Sequence, residues 1–272
     1  LNLDETRIES LITPRTRAIV PVHYAGVGCA MNEIMAIADR YGLAVVEDNA
    51  HGLFGSYRGK PLGTIGAMAT QSFHETKNIC CGEGGALILN NSSLMDRAEI
   101  IREKGTNRSM FFRGMVDKYS WVDIGSSYLP SEILAAFLLA QLESFDEIQR
   151  RRREIWERYR RELEPWTVDN RVKLPHVPVE CEQAYHMFYL LMPDLRTRTV
   201  FIQHLRDRGI LAVFHYLPLH LSEMGKKFGG RQGDCPVTEN VSDRLVRLPF
   251  YYDLSDAEHL EVISAVLSFS AI

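Results

Sequence analysis

The chain has 272 residues, 46% of them hydrophobic, 24% charged and 10% aromatic. That is the composition of an ordinary globular protein, long enough to bury a core in one or two domains, and it excludes the disordered, collagenous and disulfide-scaffold classes. With 31 Lys+Arg against 35 Asp+Glu, the net charge of -4 gives no electrostatic case for a nucleic-acid partner. The longest apolar stretch, Ile133–Leu142, is far short of the ~20 residues a membrane span needs. The opening LNLDETRIES carries charges where a signal peptide would be apolar. A soluble cytoplasmic protein with no membrane partner is expected. Cys29, Cys80, Cys81, Cys181 and Cys235 are odd in number and form no C-x-x-C, so free thiols and no metal are expected.

In chain order, Arg17–Tyr24 is an apolar β-branched run and reads as a buried strand. Asn32–Tyr41 has helical spacing, ending at Gly42, and Leu43–Val46 is a second strand, so the three make a βαβ unit. Met68–Phe73 and Gly85–Asn90 read as short strands, and Leu94–Lys104 as a helix capped by the Asn-Asn-Ser-Ser run before it. Ser131–Leu163 is the longest helical tract. Its Glu143–Glu164 part carries seven Arg and seven Asp/Glu, with Glu147/Arg151, Glu154/Arg158 and Glu157/Arg161 at i,i+4. The Arg150–Arg153 run therefore reads as a solvated helix face. Past Pro165 come strand-like Tyr185–Met192, helical Thr197–Arg208, strand-like Leu211–Tyr216 and a last helix from Ser255. The texture change sets domains at residues 1–165 and 166–272, the second a smaller C-terminal α+β domain.

Asp48 closes a hydrophobic strand, the place where open α/β sheets meet ligands; a turn or helix cap is the plainer reading. No G-x-G-x-x-G or P-loop accompanies it, since Gly82-Glu83-Gly84-Gly85 and Gly55–Pro61 match neither spacing. Lys77 follows the Met68–Phe73 strand and, alone, would be a surface lysine. A carboxylate and a lysine at neighbouring strand ends, however, are what pyridoxal phosphate chemistry needs: the lysine binds the cofactor's carbonyl and the acid pairs with its ring nitrogen. Ser72 adds a hydroxyl for the cofactor phosphate.

The pieces VVEDNAH, GxxxGxxGxxxTQSFHETKN and GEGGAL resemble the DegT/DnrJ/EryC1/StrS family of sugar aminotransferases, over essentially the whole chain. The resemblance implies an α/β fold, that of the fold-type I PLP-dependent transferases, here as an incomplete large-domain sheet plus the smaller C-terminal domain. It implies pyridoxal 5'-phosphate as cofactor, with Asp48 on the pyridine nitrogen, His51 against the ring or its hydroxyl, Ser72 on the phosphate and Lys77 as Schiff-base lysine and proton shuttle. Arg102–Glu132 and Val213–His220 are most similar to the subgroup that makes dTDP-4-amino-4,6-dideoxygalactose for enterobacterial common antigen. A dTDP-4-keto-6-deoxy sugar and L-glutamate are then the expected substrates, and a cytoplasmic homodimer the expected state. Most of the family has Gly-x-Asn-x-Arg where this chain has Gly125-Ser126-Ser127-Tyr128-Leu129, which leaves a cross-dimer phosphate contact in question.

Arg108 and Arg113 are candidates for a carboxylate or diphosphate, or else solvated loop residues. His215, Tyr216 and His220 face the sugar nucleotide or form a plain loop; no third ligand accompanies the two histidines, so no metal is expected. The resemblance also implies a longer N-terminal segment carrying a phosphate-binding turn. The 272-residue chain is therefore expected to bind the cofactor weakly. A catalytically silent fragment, or a related enzyme acting on another nucleotide keto sugar, are the other readings.

Overall fold

The computed structural model describes residues 1–270. It divides into two compact units: Leu1–Phe145 with Pro178–His186, and Asp146–Val177 with Met187 onward.

The first unit opens with α1 (Ile8–Leu11), β1 (Ala18–Ile19), α2 (Met31–Tyr41) and β2 (Ala44–Asp48). Helix α2 buries Met31, Ile34 and Ala38, spaced to share one face, and ends where Gly42 takes φ 63° and returns its N–H to Ala38 and Asp39. Ile34, Ile19, Val45, Tyr57 and Leu62 belong to one core cluster. Strands β1 and β2 are parallel, as the expected βαβ unit requires, pairing Ala18 with Ala44. The predicted Arg17–Tyr24 strand is shorter than expected. Beyond Ile19 only a bridge from Val22 to Asp48 continues it, because Pro21 offers no N–H to the ladder.

Then come β3 (Ser56–Tyr57), β4 (Lys60–Pro61), β5 (Met68–Ser72) and β6 (Gly85–Leu89). The main sheet has the order β1-β2-β5-β6, with β5 parallel to β2 and antiparallel to β6. Helices α3 (Met95–Arg102), α4 (Arg108–Phe112) and α5 (Glu132–Glu143) follow, and β7 (Cys181–Glu182) joins a small sheet of order β4-β3-β7.

Glu47, fully buried in β2, accepts four hydrogen bonds: from His23 Nε2 (2.9 Å) and from the amides of Gly63 (2.8 Å), Ile65 (2.7 Å) and Gly66 (2.7 Å). His23 Nδ1 accepts the Cys29 amide, so Nε2 is its donor. The turn needs its glycines. Gly63 has φ 88°, and a Cβ on Gly66 would stand 2.7 Å from the Val45 carbonyl oxygen. Burial pushes the Glu47 carboxyl up, but the bonds from His23, Gly66, Gly63 and Ile65 outweigh it and hold it below the usual carboxylate range.

The second unit is built on α6 (Phe145–Asp169), with β8 (Tyr189–Leu191), α7 (Leu195–Arg206), β9 (Val213–Phe214), α8 (Glu223–Lys227), α9 (Pro236–Arg244), β10 (Leu245–Arg247) and α10 (Asp256–Leu267). Its sheet is antiparallel, in the order β8-β10-β9. Ser255 caps α10 with a full capping box to Glu258.

Several expectations are corrected here. The Ser131–Leu163 tract is two helices, parted at Ser144. Helix α6 runs on through Pro165, so the expected border at 165/166 falls inside a helix. Burial of Leu163, Trp166 and Thr167 on both sides of the proline, and a Trp166 Nε1 bond to the Phe269 carbonyl (2.8 Å), hold the helix past its missing hydrogen bond. The ion pairs run in the other direction, Arg150 to Glu154 and Arg153 to Glu157, while Arg151 and Arg158 turn to Asp256. Arg152 is not solvated at all; it is buried, with its guanidinium 4.7 Å from the centre of the Phe250 ring. The predicted Tyr185–Met192 strand starts only at Tyr189, because Tyr185 sits at φ 50°, outside any extended conformation.

His259 lies edge-on to the Tyr159 ring at 4.2 Å, and its Nε2 has no hydrogen-bond partner among the described residues. Burial, reinforced by Arg158 and Arg151, pushes its imidazole down to about 4. The unfolded chain takes up a proton on this group near pH ~6.5, while the folded one refuses it until about pH 4. Stability from this residue is therefore full above ~6.5 and is lost as the pH falls towards 4. His259→Phe should flatten this acid limb, seen as a smaller loss of melting temperature between about pH 7 and about pH 4.5. An unchanged limb would place the acid sensitivity elsewhere.

Glu47→Gln keeps the volume but turns an NH₂ group towards a ring of donors. Urea unfolding at neutral pH should show a loss of about 3–5 kcal/mol, as for a broken buried pair. A loss below about 1 kcal/mol would show that the 63–66 turn holds without the carboxylate.

Candidate functional site

Because β2 and β5 are parallel, their last residues leave the same sheet edge. Asp48 pairs in register with Thr70, which places Ser72 two residues, about 7 Å, further along that edge. Asp48 is half-buried. Its backbone is spent on the sheet, with N–H to the Pro21 carbonyl (2.9 Å) and carbonyl to the His23 N–H (3.1 Å). One carboxylate oxygen, Oδ1, accepts the Ala50 amide at 3.1 Å, so the plain capping role is real. Among the described residues no hydrogen bond reaches Oδ2.

The turn that Asp48 caps delivers His51. Its Nδ1 accepts the Ala25 amide at 3.3 Å, its face stacks on His186 at 4.1 Å and 17°, and Tyr24 meets it edge-on at 5.9 Å. Lys77 rides the loop that follows β5. That loop is tied down by Phe73 N–H to Gly84, Glu75 N–H to Gly82, Lys77 N–H to His74 and Cys81 N–H to Phe73. Ser72 Oγ accepts the His74 amide at 3.4 Å. Lys77 and His51 line one narrow cleft together with Ala50, Leu53, Gln71, Asn78, Ile79 and His186, all in the first unit.

Asn78 and His186 are the members that the sequence reading missed. Asn78 Nδ2 donates to the Ala184 carbonyl (2.5 Å), and its Oδ1 faces His186 Nδ1 (2.9 Å). The local signal was faint: His186 lies 108 residues from Asn78, in a stretch that resembles a strand. Asn49, beside Asp48, donates to Gln71 Oε1 (2.9 Å) and to the Leu62 carbonyl (3.1 Å).

The remaining predicted residues lie apart from this cleft. Arg108 pairs with Glu103 at 3.4 Å and lies over Phe112; Arg113 pairs with Glu99. Both are exposed, held by carboxylates within α3 (Glu99) and at its C-cap (Glu103). His215, Tyr216 and His220 belong to the second unit. There His215 meets Tyr216 edge-on at 5.6 Å, Arg247 covers the Tyr216 ring, and His220 Nε2 bonds Glu239 (2.8 Å). Burial, then Arg247, pushes His215 below the ordinary imidazole value. Ser126 and Ser127 are zipped to the end of α3, with Ser126 N–H on Ile101, Lys104 N–H on Ser126 and a Glu103–Ser127 bridge. Among the described residues no group of three His, Cys, Asp or Glu side chains is placed to hold a metal.

The donor set on this edge is a carboxylate, an imidazole, a hydroxyl and an amine. It suits pyridoxal phosphate: an acid for the ring nitrogen, a donor for the ring oxygen, a hydroxyl for phosphate and a lysine for the carbonyl.

Comparison with known proteins agrees with this chemistry. The DegT/DnrJ/EryC1/StrS aminotransferase family matches residues 1–267. An uncharacterized protein of Methanocaldococcus jannaschii is 36% identical over 97% of this chain and 70% of its own length. The spore coat polysaccharide biosynthesis protein SpsC of Bacillus subtilis is 32% identical over 98% of this chain and 70% of SpsC. Among solved structures, DesV of S. venezuelae, in complex with a ketimine intermediate, superposes with a TM-score of 0.86 at 32% identity, over 98% of this chain and 68% of DesV. The chain belongs to the DegT/DnrJ/EryC1/StrS aminotransferase family, the pyridoxal-phosphate-dependent sugar aminotransferases of fold-type I.

Proposed function

We propose that this chain transfers an amino group from L-glutamate to a dTDP-4-keto-6-deoxy sugar, giving dTDP-4-amino-4,6-dideoxygalactose. The carrying observation is the shared sheet edge: Asp48 and Ser72 at the ends of two parallel strands, with Lys77 and His51 lining one cleft beyond them. Pyridoxal phosphate, when bound, supplies a ring that takes up the electron pair released as the donor's Cα–H bond breaks. Asp48, through the oxygen not used in capping, holds the proton on the ring nitrogen. Ser72 Oγ binds the phosphate. His51 orients the ring through its oxygen. Lys77 Nζ takes up and returns the migrating proton.

The choice of sugar rests on the likeness of Arg102–Glu132 and Val213–His220 to one subgroup. In this reading Arg108 and Arg113 exchange Glu103 and Glu99 for substrate anions, at little cost because exposed ion pairs are weak. His215, Tyr216 and His220 contact the sugar nucleotide. The first unit carries the cofactor and the second is the smaller domain. A role in cell-envelope polysaccharide synthesis, a cytoplasmic location and a homodimer complete the proposal. Support for the dimer comes from Trp121, Ile124, Ile133, Phe137 and Leu139, all exposed, a load of apolar surface that monomers rarely leave in water. No helix among the described residues is long and apolar enough to cross a membrane.

Lys77→Ala should lower turnover by about 10²–10⁴-fold or more, the scale of a lost acid–base group. Borohydride reduction with pyridoxal phosphate, then peptide mapping, should tag Lys77; a tag on Lys60 or Lys104 instead would remove Lys77 from its role. Asp48→Asn should keep the fold, since an amide oxygen can still cap Ala50, yet slow the half-reaction with glutamate about a hundredfold or more. A single-turnover rate within a few-fold of wild type would reduce Asp48 to its capping role.

A further inference from the structure

The cleft holds two histidines, and their hydrogen bonds put them in opposite tautomers. His51 Nδ1 accepts the Ala25 amide, so its ring proton is on Nε2. Asn78 donates through Nδ2 to the Ala184 carbonyl, which leaves Oδ1 as acceptor and makes His186 the Nδ1–H donor. The two rings lie nearly parallel, 4.1 Å apart. His186 is buried, and it follows Tyr185, whose φ of 50° is a conformation that side chains other than glycine rarely adopt. A strained turn of this kind persists where its surroundings over-determine it. Here Asn78 grips it on both sides, at the carbonyl of residue 184 and at the ring of residue 186.

We propose that His186 is a positioning residue for the aminotransferase site: clamped by Asn78, it forms the wall on which His51 stacks, and so commits His51 to present an Nε2–H donor to the cofactor ring. The inference rests on the reading of Lys77 and His51 as the cofactor's residues and goes beyond it. Asn78 adjoins Lys77, so the residue that aims the lysine loop also aims the histidine. The backbone amide of Ala25 selects the tautomer; the stacked ring blocks the rotation that would lose it. The direction of the His51 donor is thus set by a side chain 135 positions later in the chain.

Imidazole ¹⁵N NMR of the cofactor-free protein, beside borohydride trapping of pyridoxal phosphate at Lys77, tests this. In wild type, His51 should read as the Nε2–H tautomer and His186 as Nδ1–H. His186→Ala should leave His51 averaging between tautomers and raise the half-saturating cofactor concentration about three- to tenfold, the size of one ring-pair contact. His186→Phe, which keeps the stacking ring but loses the Nδ1–H that Asn78 holds, should restore both in part, to a level between the Ala variant and wild type. Asn78→Ala should move His186 off the Nδ1–H form; if that variant does not fold, the His186 pair decides alone. An unchanged His51 tautomer and unchanged trapping in His186→Ala would overturn the inference, as would a Phe variant no better than Ala. A wild-type protein not trapped at Lys77 would instead overturn the reading of the site, and the inference with it.

Discussion

A carboxylate without water dominates the first unit. Glu47 is held in the sheet interior, and a buried charge is tolerated only when its lone pairs are taken. Four donors take them: one imidazole from the β1–α2 connection and three amides from the turn before β5. Two chain segments that flank β2 are thereby tied to it, and the glycines at 63 and 66 let the backbone come close enough to do so. The sheet edge proposed to carry the chemistry inherits its alignment from this cluster, because Glu47 and Asp48 are consecutive. Strand alternation sends one carboxylate inward for structure and the next towards the ligand edge.

From that anchor the site is assembled by short-range steps. Asp48 caps the turn that carries His51, β5 runs parallel to β2 and releases Ser72 and Lys77 at the same edge, and the Gly82–Gly85 hairpin closes the lysine loop. One partner comes from far along the chain. The Pro178–His186 segment leaves the second unit's sequence neighbourhood and packs into the first, where Asn78 receives it. In the proposed site a rigid strand end places the acid, a hydrogen-bonded loop places the lysine, and the proposed Asn78 clamp places the histidines. This division matches the tolerance of each task, since proton transfer needs its heavy atoms within hydrogen-bond reach.

The exposed arginines show a different economy. Arg108 and Arg113 sit in surface ion pairs with Glu103 and Glu99, the kind that contributes little to stability. Arg152, in the same sequence run as the exposed Arg150 and Arg153 and the half-buried Arg151, is buried against Phe250. Charge counting treats the four alike; the helix separates them by face, because one position in a run of four must point inward.

The sequence alone was enough for the elements whose cause is local. The α2 spacing with its Gly42 stop, the β2 and β5 runs, the Ser255 cap and the order of Asp48, His51, Ser72 and Lys77 are all legible there, since periodicity, caps and strand ends are properties of neighbouring residues. Tertiary structure decided the rest. Pro165 reads as a stop but lies inside a helix because burial on both sides outweighs one lost hydrogen bond. Tyr185 reads as strand but turns left-handed because Asn78 holds both its neighbours. The Glu47 cluster and the stacked His51–His186 pair join residues separated by loops, and no local rule encodes which distant donor satisfies a buried acceptor. Local preference thus determined which residues are present at the site, and long-range hydrogen bonding decided which way they face.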